Sequence, residues 1–197
     1  IGWMLAACGI IHLGVMVNSQ ASAFAAATLF TYMFIYTPMK RRTGSNTLVG
    51  AVSGALPPLI GWTAAGGEIL FVQPWFLFGL LFLWQLPHFI AINWMYRKEY
   101  EDAGFVMWSN GDESGKRTSL LAIIFSVLLL ILMLFPLFYG FVNVFAIVGL
   151  VLAAAVMVKY SINFSKTRRR EDARRLFLYT LLFLPVSLIL LFIGWDS

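Results

Sequence analysis

The sequence predicts an all-α, polytopic membrane helical bundle, and three observations carry that expectation. Of its 197 residues, 60% are hydrophobic and only 12% are charged, against about 45–50% and about 25% in a soluble domain. Seven apolar segments follow one another, at about 2–17, 21–38, 46–65, 74–96, 119–138, 141–162 and 174–194. None alternates with period two, which sets aside a transmembrane barrel.

Most segments approach the ~20 residues that a helix needs to cross ~30 Å of hydrocarbon. A helix also satisfies its own backbone in lipid. The first segment begins at Ile1, already inside an apolar run, with no Met start, basic n-region or small-residue cleavage site. The expectation is one transmembrane domain, 1–197, incomplete at its N-terminus. His12, alone among small and aliphatic residues, reads as packing. The second segment ends in the cationic stretch YTPMKRR. The third carries Gly50 and Gly54 as G-x-x-x-G, a close-contact signal, and Pro57-Pro58, which should kink or break it. Asn46 at its start reads either as an N-cap or as a ligand contact. The fourth, WFLFGLLFLWQLPHFIAINWMYRKEY, is the one span with a polar stripe. The last three are apolar, and Arg168, Arg169 and Arg170 between them read as an anchor.

Charge sets the topology. All 14 cations fall in the loops after segments two, four and six. They are Lys40, Arg41 and Arg42, then Arg97, Lys98, Lys116 and Arg117, then seven from Lys159 to Arg175. The alternate loops (NSQAS, GGEILFVQP, GF) have none. By the positive-inside rule these three loops face the cytoplasm or mitochondrial matrix, and the C-terminus lies outside. The same distribution accounts for the net charge of +5 without nucleic acid. One cysteine, Cys8, excludes an internal disulfide and a Cys-based zinc cluster.

Anchoring explains the cations but not the acids. Five carboxylates crowd the loop RKEYEDAGFVMWSNGDESGKR. A solvated connection is one reading of that loop and a working surface is the other. Below it, at roughly 100° per residue, Gln85, His88, Tyr96 and Glu99 share a stripe about 80° wide, with Asn93 beside it. Polar groups at membrane depth face a cavity or a partner helix, so His88 reads either as a cavity wall or as an interhelical hydrogen bond. Carboxylates hold Mg²⁺, Mg²⁺ holds phosphate, and Lys or Arg neutralises the remaining charge. With an apolar interior, the chemistry indicated is that of an enzyme using a lipid diphosphate at the membrane surface.

Two stretches, YTPMKRRTGSNTLVGAVSGALPPLIGWTAAGG and WQLPHFIAINWMYRKEYEDAGFVM, resemble the protohaem IX farnesyltransferases (haem O synthases), a branch of the UbiA-type intramembrane prenyltransferases. Tyr36-Thr37-Pro38 with Lys40-Arg41 matches Y-T-P-x-K-R. Trp84-Gln85 with Pro87-His88 matches W-Q-x-P-H. Glu99-Tyr100, Ala103-Gly104 and Met107 match the loop that follows. The resemblance implies helices three to nine of a nine-helix fold. It implies transfer of farnesyl from farnesyl diphosphate to a vinyl group of haem B, with Mg²⁺ as cofactor. The Asp-rich N-x-x-x-D-x-x-x-D motif with the main Mg²⁺ ligands falls outside this sequence, so the piece alone is expected to be inactive.

The resemblance also implies site roles. Lys40 and Arg41 would bind diphosphate, and Arg97 or Lys98 diphosphate or haem propionates. His88 and Tyr96 would face the porphyrin or the reacting centre, and Glu99 would serve as base or orienting group. Tyr36, Asn46, Gln85, Asn93 and Tyr100 would contact substrate, and Glu99 with Asp102 would offer metal ligands. Lys40, His88 and Glu99 are expected to line one cavity. The implied partners are farnesyl diphosphate, haem B, the bilayer and haem A synthase. The implied location is the bacterial inner membrane, with the mitochondrial inner membrane as the alternative. The rival readings are a UbiA-type enzyme prenylating a quinone precursor, a small-solute transporter and a non-catalytic haem-binding assembly protein.

Overall fold

The structure, a computed structural model, describes residues 1–195. Its elements are α1 (Gly2–Met16), α2 (Ser19–Phe30), a π-helical turn (Thr31–Tyr36), α3 (Thr37–Met39), α4 (Asn46–Ala55), α5 (Pro57–Ala64), α6 (Val72–Met95), α7 (Arg97–Asp102), α8 (Lys116–Leu132), α9 (Phe135–Tyr139), α10 (Val144–Thr167) and α11 (Arg170–Gly194). The expected all-α class holds among the described residues, where the single extended pairing is an isolated bridge between Val142 and Trp195. Five helical stretches are long and apolar enough to span a membrane: Asn46–Ala64, Val72–Met95, Lys116–Tyr139, Val144–Thr167 and Arg170–Gly194. The chain is a multi-pass membrane protein. The first expected segment is a shorter apolar helix, Gly2–Met16, and the second is divided by the π turn, so the count of seven full spans is not reproduced.

Local chemistry places the ends. Asn18 caps α2 by accepting from Ala21 N at 2.8 Å, and Asn143 caps α10 by accepting from Ala146 N at 2.9 Å. Pro57 and Pro58 have no N–H to donate, and the helix breaks at Leu56 between α4 and α5. Asn46 is not the cap expected as one of its two readings. It is the first residue of α4, after Ser45, and its Nδ2 donates to Thr43 O at 2.6 Å and Val106 O at 2.7 Å.

The core lies among α6, α8, α10 and α11, around Phe76, Leu80, Leu129, Leu150, Met157 and Phe183. Small polar residues tie its helices. Ser126 and Ser161 share a hydrogen bond at 2.8 Å between α8 and α10, and Ser119 donates to Ser165 at 3.3 Å. In lipid such close, polar-stitched contacts replace the hydrophobic drive between helices. The other helices build a wall against α6 through α4 and α5.

All three cation-bearing loops meet at one end. Val106 N donates to Lys40 O at 2.8 Å, joining the first loop to the second. Trp94 Nε1 donates to Arg168 O at 3.0 Å and Arg168 reaches Ser114 O at 3.5 Å, joining the second to the third. At the other end Asn18 Nδ2 donates to Thr63 O at 2.6 Å, and Trp62 lies 6.3 Å from Trp195.

Candidate active site

A cavity of ≈ 540 Å³ opens between α2 with its π turn, α4, α6 and the loop after α7. Its one charged lining residue is Lys40. The ammonium lies 4.5 Å from the ring centre of Tyr36 and 5.7 Å from that of Tyr32. Their spacing of four overshoots a 3.6-residue α turn and falls short of a wider π turn, so the mixed backbone stacks Tyr32, Tyr36 and Lys40 in one column. Thr37 Oγ1 supports it by donating to Tyr32 O at 2.8 Å. Tyr36 fits because Gly50 leaves room. A Cβ there would stand 2.8 Å from the Tyr36 ring. Gly54 does the same for Gln85, whose Oε1 would be 2.5 Å from an added Cβ. The G-x-x-x-G pair thus receives a ring and an amide from two neighbouring elements.

Two amides line the apolar wall from α6. Gln85 (6% exposed) is satisfied, donating from Nε2 to Ala51 O at 2.8 Å. Asn93 (5% exposed) is not: its Nδ2 is buried without a hydrogen-bond partner. A native protein seldom leaves such a donor unpaired unless something else fills the role. Lys40 has no carboxylate within 4 Å, since the one ion pair among the described residues joins Arg175 to Asp172 at 3.1 Å. The cavity therefore has an unpaired cation at its mouth, an amide with a buried, unmatched donor in its wall, and aromatic faces between.

The expected site residues divide. Lys40, Tyr36, Asn46, Gln85, Asn93 and Tyr100 come together in this cavity. Burial, with the Tyr96 phenol as a lesser cause, raises the Tyr100 phenol above its ordinary value, so it stays protonated as a donor. Arg41 is exposed and does not line the cavity. The expectation that Lys40, His88 and Glu99 line one cavity is corrected. His88 faces α11, where its Nδ1 lies 2.8 Å from Thr180 Oγ1 and its ring packs 5.5 Å from Trp84 and 4.9 Å from Phe177. Thr180 donates its own proton to Phe177 O at 2.6 Å, so His88 donates from Nδ1 and keeps a lone pair on Nε2. Glu99, Arg97 and Lys98 line a separate groove with Arg168 and Arg170, and Tyr96 lines its second lobe. The physical reason is the end of α6 at Met95. Tyr96 leaves helical geometry (φ −117°, ψ 27°), so the stripe extrapolated from Gln85 does not continue into α7.

Other lining residues escaped the sequence reading: Tyr32, Ser53, Phe89 and Phe105 among them. Tyr32 had a signal, its four-residue spacing from Tyr36 and Lys40. Phe105 had none, since its place depends on the latch between Val106 and Lys40.

The profile of the UbiA prenyltransferase family matches residues 1–190. The chain belongs to the UbiA prenyltransferase family. Among relatives, the protoheme IX farnesyltransferase of Opitutus terrae is 38% identical over 189 residues, covering 95% of this chain and 64% of its own. That of Solibacter usitatus is 36% identical over 185 residues, covering 94% and 63%. The mitochondrial protoheme IX farnesyltransferase of Arabidopsis thaliana is 36% identical over 180 residues, covering 91% and 42%. The chain thus spans less than two thirds of the two bacterial relatives and less than half of the Arabidopsis one. A solved structure concerning digeranylgeranylglyceryl phosphate synthase superposes with TM-score 0.81 at 14% identity, covering 97% of this chain and 66% of that one. It shares the fold.

UbiA prenyltransferases generally depend on a divalent metal. No carboxylate lines the Lys40 cavity. Glu99 and Asp102 are exposed one turn apart on α7, and no group of three His, Cys, Asp or Glu side chains suited to a metal occurs among the described residues. These residues do not by themselves fit a metal centre.

Proposed function

We propose that this chain carries the prenyl-donor cavity of an enzyme that transfers a farnesyl group from farnesyl diphosphate to a vinyl group of haem B, giving haem O. The observation behind this reading is the pairing of an uncompensated Lys40 ammonium with the unpartnered Asn93 amide on one apolar cavity. A lipid diphosphate supplies the two things that cavity lacks, an anion and an acceptor oxygen. The relatives' names supply the acceptor, and a protein of this family with that activity would reside in the bacterial or mitochondrial inner membrane.

The chemistry follows from the residues. Diphosphate leaves with the electron pair of the C1–O bond, and Lys40 and the Tyr100 hydroxyl stabilise the charge that develops on it. The allylic cation left behind faces the π-clouds of Tyr32, Tyr36 and Phe89, which stabilise it and exclude water. The vinyl group attacks C1, and the new carbon–carbon bond leaves a cation beside the porphyrin ring. Water adds there, and its proton passes to a base; His88 Nε2 holds the lone pair to take it. Arg97 and Lys98, in the separate groove, serve acid groups of the acceptor, and Glu99 orients them. Haem A synthase, which would take the product onward, is the proposed partner.

The test is an assay of the full-length protein, with the Asp-rich segment that falls outside this sequence, in native membranes with haem B, farnesyl diphosphate and Mg²⁺, read by chromatography of the extracted haem. A farnesylated haem is expected, and Lys40→Ala should lower its rate by about 10²–10³. A protein that makes no such haem, or whose Lys40→Ala variant keeps full rate, does not work this way.

A further inference from the structure

A second concavity opens at the cation-bearing end, and it shares no lining residue with the Lys40 cavity. It has two lobes, ≈ 310 Å³ and ≈ 420 Å³, that share Met95 and Arg170. Arg97, Lys98 and Arg168 line the first and Arg174 the second, so five cations face two acids, Glu99 and Glu171. None of the seven is ion-paired, because the one salt bridge among the described residues lies elsewhere, at Arg175 and Asp172.

The cations are held in place by other means. The Arg97 guanidinium lies 4.2 Å from the ring centre of Trp94, and that of Arg170 5.5 Å from the ring centre of Tyr96. Buried Trp94 donates to Arg168 O at 3.0 Å, and Arg168 turns the chain in left-handed conformation at φ 54°. That turn, favourable to glycine rather than arginine, sets Arg170 and Arg174 on the first turns of α11 above the groove. The floor is apolar, from Met95 and Phe177. Phe177 lies 4.9 Å from His88, His88 lies 5.7 Å from Phe89, and Phe89 lines the Lys40 cavity. An aromatic row therefore runs from one concavity to the other through His88.

Anchoring cations splay toward many headgroups. These converge on an apolar, aromatic-floored groove that leads to a second cavity. We propose that this groove is the carboxylate site of the acceptor, in which Arg170 and Arg174, with Arg97 and Arg168, hold the acid edge of a flat, otherwise apolar ligand whose body extends toward His88. The assignment rests on the proposed function for the identity of that ligand, a porphyrin bearing two propionates. It places donor and acceptor in separate sites, with His88 at their junction.

Haem B and its dimethyl ester, which lacks the carboxylates, distinguish the possibilities. Each is titrated into the full-length protein in neutral-lipid nanodiscs and followed by the Soret band, for the unmodified protein and for Arg170→Ala/Arg174→Ala. The double variant should bind haem B about tenfold or more weakly, bind the ester as the unmodified protein does, and keep its KM for farnesyl diphosphate. Unchanged affinity for haem B overturns the assignment, as does an equal loss for the ester, which would mean a damaged fold. A variant that binds haem B normally but loses retention of anionic over neutral phospholipid would make the groove a headgroup site. If the unmodified protein forms no farnesylated haem in the assay above, the proposed function fails with it. If it does form that product while the double variant binds haem B normally, only the groove assignment fails.

Discussion

At the scale of single residues, the two amides on α6 separate structure from function. Gln85 is tied to Ala51 O and braces α6 against α4. Asn93 has the same chemistry, equal burial and no partner for Nδ2. A buried donor left unmatched costs about 1–3 kcal/mol, whereas an apolar group of the same shape is neutral or stabilising. Asn93→Leu should therefore leave thermal stability unchanged or raise it. The same substitution should raise the KM for farnesyl diphosphate about tenfold, since the donor's oxygen loses its match. A melting scan beside a KM measurement checks both, and a fall in stability with an unchanged KM would reduce Asn93 to a packing residue. The sequence placed Asn93 beside a polar stripe, but it could not distinguish it from Gln85. Which amide finds a carbonyl is settled by α4, 34 residues away from Gln85 in sequence. For the same reason the sequence favoured a cavity wall for His88 over an interhelical hydrogen bond. Thr180, 92 residues on, decides that it bonds α11.

At the scale of elements, two features make predictions. The column Tyr32, Tyr36, Lys40 depends on the missing side chain of Gly50. Gly50→Ala must push Tyr36 aside, with an overpacking cost of about 1–3 kcal/mol, and Lys40 moves with the ring beneath it. Trimming the ring should relieve that strain, so Gly50→Ala and Tyr36→Ala should couple by more than 0.5 kcal/mol in a double-mutant cycle of stability. Simple additivity would show that the ring does not rest on that glycine. The second feature is the start of α8. Buried Asp112 accepts from Thr118 N at 2.8 Å, Thr118 Oγ1 at 2.9 Å and Ser114 Oγ at 3.1 Å. Burial by itself would raise its pKa, but these hydrogen bonds and the Arg117 charge outweigh it and hold the carboxyl below its ordinary value. A depressed folded pKa contributes stability above the unfolded pKa of about 4 and loses it as pH falls through the folded one. Hydrogen exchange at residues 112–118 should thus be faster in Asp112→Asn at pH 7. The gap should close as the pH drops below about 4, and a gap that is constant with pH would remove the carboxylate from the account. Elements were well legible in sequence where composition dictates them, as at Pro57-Pro58. They were not where a helix ends without a breaker. Nothing in Met95-Tyr96-Arg97 announces that α6 stops, and that stop is what separates Glu99 from the Lys40 cavity.

At the scale of the whole molecule, the arrangement is a bundle with its cation-bearing loops gathered at one end. Three loops that are far apart in sequence bring every lysine and arginine toward that end, and the latches Val106–Lys40 and Trp94–Arg168 fuse them into one surface. That grouping was legible from cation counting alone, because a charge that cannot enter hydrocarbon constrains the helices on both sides of it. What counting cannot supply is the division of the surface into an apolar-walled cavity with a single cation and a groove with five. Both depend on contacts between loops, which carry no periodicity to read. By the positive-inside rule the proposed orientation turns this end toward the cytoplasm or matrix. Single cysteines in a Cys8→Ala background test this directly. In right-side-out bacterial vesicles, an impermeant thiol reagent should label a cysteine at exposed Leu70 and spare one at Ser114, and inversion of the vesicles should reverse the pattern. Labelling of Ser114 from outside would turn the bundle over. It would place Lys40 and the arginine groove on the face away from soluble diphosphates, where the surface described here would have nothing charged to bind.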